Sequence, residues 1–153
     1  MPKLKKQLHF DFEGRHHSGQ FVKITKDMMN SPAWKSLNFR QRGLYLEIKA
    51  KYKPKYLNGV LESDNSKDIS FTRAEAKKMG YGDANRTFPR DVDKLIECGF
   101  IDLVTPGSFT REPNIYGLST RWQEFGKPGY DVPSKVKRPS RKNLHSEAAS
   151  YLQ

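Results

Sequence analysis

The sequence is poor in cysteine, in histidine and in uninterrupted apolar stretches, and each shortage closes off a class of protein. Its single cysteine, Cys98, can form neither an intramolecular disulfide nor a cysteine-rich zinc site, so a reducing compartment is the simplest setting. No run approaches the ~20 apolar residues of a membrane helix. The opening, MPKLKKQLHFDFEG, is basic but lacks the apolar stretch of a signal peptide. A cytoplasmic chain without a membrane partner is expected. His9, His16, His17 and His145 fall in polar end segments, with no third ligand spaced to close a metal site. The phosphate-cradling pattern GxxxxGK[ST] is missing. No pair of carboxylates sits on one rigid element, so neither catalysis nor a metal or other cofactor is expected.

Positive charge is what the chain has in excess. Lys and Arg number 28 against 17 Asp and Glu, a formal charge of +11 that attracts and steers a polyanion. Hydrophobic residues make up only 35%, so a core must be drawn from part of the chain, while 12% aromatics argue against full disorder. The 153 residues suit one domain with polar ends. Residues 1–20 read as a flexible arm broken by Gly14, Ser18 and Gly19. Residues 127–153 read as a basic flexible tail in which Lys135, Lys137, Arg138, Arg141 and Lys142 crowd together.

The folded part is expected at 21–126. FVKIT (21–25) alternates like a strand, and Thr25 or Asp27 can cap a short helix that Pro32 breaks. Asn38 is a good N-cap for FRQRGLYLEIKAKY, whose Phe39, Leu44, Tyr45, Ile48 and Tyr52 recur at spacings of three and four and predict one buried face. Trp34 and Tyr45 can offer a stacking surface to single strands, but their helical spacing fits core filling better. A polar connection follows with turn signals at Asn58–Gly59, where Leu57, Val60 and Leu61 form a short strand or pin the loop. Ser70 or Thr72 caps the next helix, and Glu75 completes a capping box with Thr72. Gly80 ends that helix, and Asn85 is a cap for the following one. In RTFPRDVDKLIECGFIDLV, Phe88, Val92, Leu95 and Ile96 line one side, Gly99 closes the helix, and Cys98 fits as a small core residue. A strand follows, then turn residues and IYGLS as its antiparallel return.

Three helical segments, a tight turn between the last two and a strand–loop–strand hairpin define an α+β, mainly α, expectation: a winged helix-turn-helix with a C-terminal β-hairpin wing. FVKITKDMMNSPAWKSLNFRQRGLYLEIKAKY resembles the start of winged-helix replication proteins of bacterial phages and plasmids. DVDKLIECGFIDLV resembles their recognition helix running into the wing. The resemblance implies a double-stranded DNA-binding protein of a mobile element, in replication initiation or as an origin or transfer accessory factor.

The residues expected to carry binding follow from that geometry. Arg86, Thr87, Arg90, Asp91 and Lys94 are expected to face away from the core. Arg86 and Arg90 suit bidentate bonds to guanine O6 and N7 in the major groove. Thr72, Arg73 and Lys77 of the preceding helix suit phosphates. Ser108, Thr110 and Arg111 sit at the wing turn, and Arg111 suits the minor groove or a phosphate. The basic tail can follow the backbone without reading sequence. Two rival expectations stand: a transcriptional regulator, or a winged-helix protein-interaction module suited to the mixed charges of the third helix. Self-association as a dimer, or pairing with other replication or transfer proteins, fits the first reading.

Overall fold

The computed structural model describes residues 21–107 and 112–131. The expected arm at 1–20 and the tail beyond 131 lie outside the described residues. Helix α1 spans Lys26–Asn30 and is capped by Thr25, whose hydroxyl accepts from the Met28 amide at 3.2 Å. Ser31 then caps α2, Pro32–Lys35, with Pro32 in the first turn where its missing amide costs nothing. Asn38 caps α3, Phe39–Ala50, through a full capping box with Gln41. FVKIT is not a strand: residues 21–25 have no ladder partner, and the Lys23 carbonyl is taken by the Lys49 ammonium at 2.7 Å.

Next comes a hairpin, β1 (Lys55–Leu57) and β2 (Val60–Ser63). Asn58 (φ 52°) and Gly59 (φ 79°) turn it with the two positive φ angles of a type I′ loop. Its base is clamped by Asn65, which accepts from the Lys53 amide at 2.6 Å and donates to the Lys51 carbonyl at 2.9 Å. Strand β3, Ile69–Ser70, precedes α4, Arg73–Lys78, and α5, Thr87–Glu97. Strands β4, Ile101–Thr105, and β5, Ile115–Leu118, form the hairpin expected after Gly99. A 3₁₀ turn follows at Arg121–Gln123.

The described residues thus form an α+β fold of helices and two small antiparallel sheets. The larger sheet has the order β3–β5–β4, so β5 lies in the centre although it comes last. Tyr116 pairs with Ile69 on one side and Leu103 on the other. Ser70, expected as a possible helix cap, belongs to β3, and Thr72 alone caps α4. Among the described residues, no helix is long and apolar enough to cross a membrane.

The core is aromatic where the first three helices meet the sheet. Phe100 lies 4.9 Å from Tyr45 and 5.8 Å from Trp34 between ring centroids, and it stacks nearly parallel on Trp122. Trp34 and Tyr45 are buried, as core filling requires. Burying a ring such as Phe100 is worth about 1.5–3 kcal/mol. Cys98 is buried too, with its Sγ 3.2 Å from the Ser36 Oγ. Phe39, expected in the core, stands 88% exposed with Arg42 over its ring. It is the first residue after the cap, and the chain has not yet turned its side chain onto the sheet.

The packed body continues past the expected boundary at 126. The Tyr130 hydroxyl donates to the Glu97 carbonyl at 2.8 Å, and its ring meets Phe125 edge-on. Arg121 ties the same corner. It donates to Asp102 at 2.5 and 3.0 Å, to the Ile96 carbonyl and to the Tyr130 hydroxyl.

Gly99 sits at φ 80°, and a Cβ there would meet the Trp122 nitrogen at 2.6 Å and the Arg121 carbonyl carbon at 2.7 Å. Both obstacles are backbone and cannot swing aside. Gly99→Ala is therefore expected to lower stability by about 3 kcal/mol or more, combining left-handed strain with overpacking. Urea denaturation measures it, and a loss under about 1 kcal/mol would show that the 3₁₀ turn yields freely.

Candidate nucleic-acid interface

Helix α4 is built to hold its basic side chains outward. The Thr72 hydroxyl accepts from the Glu75 amide, while the Glu75 carboxylate accepts from the Thr72 amide at 2.7 Å and its hydroxyl at 2.9 Å. Glu75 also pairs with Lys51, whose ammonium donates to the Ser70 carbonyl and lies over the Phe71 ring. Burial would raise the Glu75 pKa, but Lys51 and Thr72 outweigh it and hold the carboxyl below its ordinary range. Thr72, expected from sequence to suit a phosphate, is a cap whose hydroxyl is engaged by Glu75. Ala76 is buried, and Arg73, Lys77 and Lys78 are exposed. None of the three has a carboxylate partner among the described residues.

Helix α5 starts without a side-chain cap. Asn85 does not cap it; the N-cap position is Arg86, and the Asp83 carbonyl accepts from the Thr87 amide at 2.9 Å and its hydroxyl at 2.5 Å. Pro89 falls in the first turn, where its absent amide breaks no helix bond. Thr87 is half-buried and its hydroxyl is spent on the helix start.

Asp91 corrects the expected outward set. It is 2% exposed, and its two oxygens accept from Arg40 Nε (2.5 Å), Arg40 Nη2 (3.3 Å), Gln41 Nε2 (3.0 Å) and the Tyr81 hydroxyl (2.8 Å). Those bonds fill the roughly four lone-pair sites of a carboxylate. The Arg40 guanidinium also lies 5.3 Å from the Tyr81 ring centroid. Burial alone would push the Asp91 carboxyl up, but the bonds from Arg40, Tyr81 and Gln41 overcome it and hold the pKa below normal. Burial, then Asp91 itself, drives the Tyr81 phenol well above its ordinary value, so it remains a donor. The signal was present in the spacing: Asp91 stands three residues after Phe88, one before Val92 and four before Leu95, inside the apolar stripe.

With Asp91 turned inward, about 100° per residue places Arg86, Arg90, Asp93 and Glu97 on the outward face. Arg90 is exposed without a carboxylate partner among the described residues, and Arg86 makes a 3.3 Å pair with Asp83, both largely exposed. Lys94 sits at the flank, half-buried, and its ammonium donates to Glu97 at 2.7 Å; that bond raises its pKa. The face is basic in its N-terminal half and acidic in its C-terminal half. Ser108, Thr110, Arg111 and the tail residues Lys135, Lys137, Arg138, Arg141 and Lys142 lie outside the described residues, as do the four histidines. Among the described residues no group of three His, Cys, Asp or Glu is arranged to hold a metal. Burial raises the Cys98 thiol pKa, so it stays protonated in the core.

No family model matches the chain, and neither a curated protein nor a solved structure does.

The Asp91 network makes a pH-dependent prediction. A carboxyl whose pKa is lower folded than unfolded contributes stability above its unfolded value, about 4, and loses it as pH falls through the folded value. Asp91→Asn is expected to cost about 2–4 kcal/mol at neutral pH, discounted because Arg40 is half exposed. The gap from the parent should narrow steadily below about pH 4. Urea titrations across that range test it, and a gap unchanged at about pH 3 contradicts the assignment.

Proposed function

We propose that the chain is a winged helix-turn-helix protein that binds double-stranded DNA with sequence preference, with α5 in the major groove and α4 across the backbone. The order α3, β3, α4, α5, β4, β5, with β5 between β3 and β4, supports this reading of the fold. The observation that carries the binding is the unpaired basic set on the helix pair. Among the described residues, Arg73, Lys77 and Lys78 on α4 and Arg90 on α5 have no carboxylate partner, while Asp91 is withdrawn into the core. Free cations suit phosphates, and an arginine near the start of a groove-bound helix suits guanine. Arg86 and Arg90 lie at the start and in the first turn of α5, so contact runs through its N-terminal half. With the resemblance to phage and plasmid replication proteins, this favours an origin-marking or transfer accessory role on a mobile element. A transcriptional regulator would use the same surface.

Fluorescence anisotropy against random and selected duplexes at several salt concentrations tests the proposal. Affinity for random duplex should fall steeply with salt, and removing Arg73, Lys77 and Lys78 together should reduce the log–log slope by roughly 0.9 for each lost phosphate contact. Arg90→Ala should cost about 1–3 kcal/mol on the selected site and little on random duplex. Absent or salt-insensitive binding would favour the protein-interaction reading, and a uniform loss in Arg90→Ala would reduce that residue to an electrostatic role.

A further inference from the structure

The β1–β2 ribbon is the one place among the described residues where large apolar side chains from adjacent strands gather in solvent. Tyr56 is 62% exposed, Leu57 58%, Val60 69% and Leu61 46%, and no residue of either strand is buried. A lone two-stranded ribbon is marginal in water. Its charge also differs from the rest of the chain. Between residues 55 and 62 the ionised groups are Lys55 and Glu62, which pair at 2.9 Å and cancel, on a chain of net +11. A polyanion gains little there, whereas a second copy of this basic chain meets no net repulsion there.

The backbone adds direction. The type I′ turn makes Leu57 and Val60 the hydrogen-bonded pair that closes the loop. Bonded and non-bonded pairs alternate along an antiparallel ribbon, so the amide and carbonyl of Leu61 point away from β1 to the open edge. No described strand pairs with that edge.

We propose that this ribbon joins two copies of the chain, edge to edge along β2, about a two-fold axis at Leu61. The strand order across the joint is β1–β2–β2–β1. An antiparallel two-fold joint must pair a residue with its own counterpart, and Leu61 is the position inside β2 with outward backbone groups. This register sets Tyr56, Leu61, the second Leu61 and the second Tyr56 in one row on one face, where cross-strand apolar pairs stabilise a sheet. Leu57, Val60 and the Lys55–Glu62 pair occupy the other face.

Sedimentation of the full chain without DNA, from roughly 1 µM to 1 mM, tests this apart from the DNA reading. The parent chain should shift from monomer to dimer with concentration. Leu61→Pro removes the edge donor at a position where an edge strand tolerates proline, and Leu61→Lys sets like charges across the axis. Each should weaken self-association at least about tenfold, with helical circular dichroism and thermal midpoint unchanged because the ribbon lies outside the core. A parent chain that stays monomeric throughout, or a dimer that survives both substitutions, overturns the proposal.

Discussion

The Asp91 carboxylate sets the geometry of the surface. Three segments far apart in sequence end on its two oxygens: the start of α3 through Arg40 and Gln41, the turn after α4 through Tyr81, and α5 itself. An ionised group so buried is costly to desolvate, and the bonds from Arg40, Tyr81 and Gln41 offset that cost. What the bonds supply is a rotation. A helix held only by Phe88, Val92 and Leu95 can roll slightly about its axis, because apolar contacts are not directional. Four bonds to one carboxylate leave little freedom to roll, and Arg86 and Arg90 stay outward as a result. Removing the acid also leaves the Tyr81 hydroxyl without its acceptor in a buried place, which adds to the cost.

Most local features were legible in the sequence because they rest on neighbours a few residues apart. The Thr25, Asn38 and Thr72 caps, the break before Pro32 and the closures at Gly80 and Gly99 each follow from a residue acting within four positions. What was not legible depends on distant partners. β3 is only two residues long, too short for a period, and exists because β5 offers an edge. FVKIT has the alternation of a strand but no edge to join. Asp91 was placed outward because it is charged, although its position lies in the apolar stripe; only the approach of Arg40 from 51 residues away reverses that. Arg121 gave no sequence signal, since its three acceptors come from α5, β4 and the segment that follows.

The candidate surface was legible in part for the same reason. Arg73, Lys77, Arg86 and Arg90 stand outward, as periodicity predicts. Thr72 and Thr87 are small polar residues at helix starts, and their hydroxyls are engaged locally, Thr72 by the Glu75 amide and carboxylate and Thr87 by the Asp83 carbonyl. Lys94 lies beside a carboxylate one turn away, and the pair discounts both charges. On the proposed reading, the net charge of +11 would govern encounter with a polyanion, and Arg73, Lys77, Lys78 and Arg90, without carboxylate partners among the described residues, would govern what is held after it.

The neutral ribbon and the basic helix pair place opposite demands on the chain. A surface that holds a polyanion needs cations without partners, and such cations repel a second copy of the same surface at short range. The Debye length is about 8–10 Å at ordinary salt, so repulsion between two such chains weakens if their charged faces are kept further apart. A projecting arm with its ion pair closed internally separates the two requirements. The joint at Leu61 lies four residues before the Asn65 clamp, about 13 Å of strand at 3.3 Å per residue. Two helix pairs related by one two-fold axis would then face DNA as symmetry mates, which ties the two proposals to one prediction about site symmetry while leaving each to stand or fall by its own measurement.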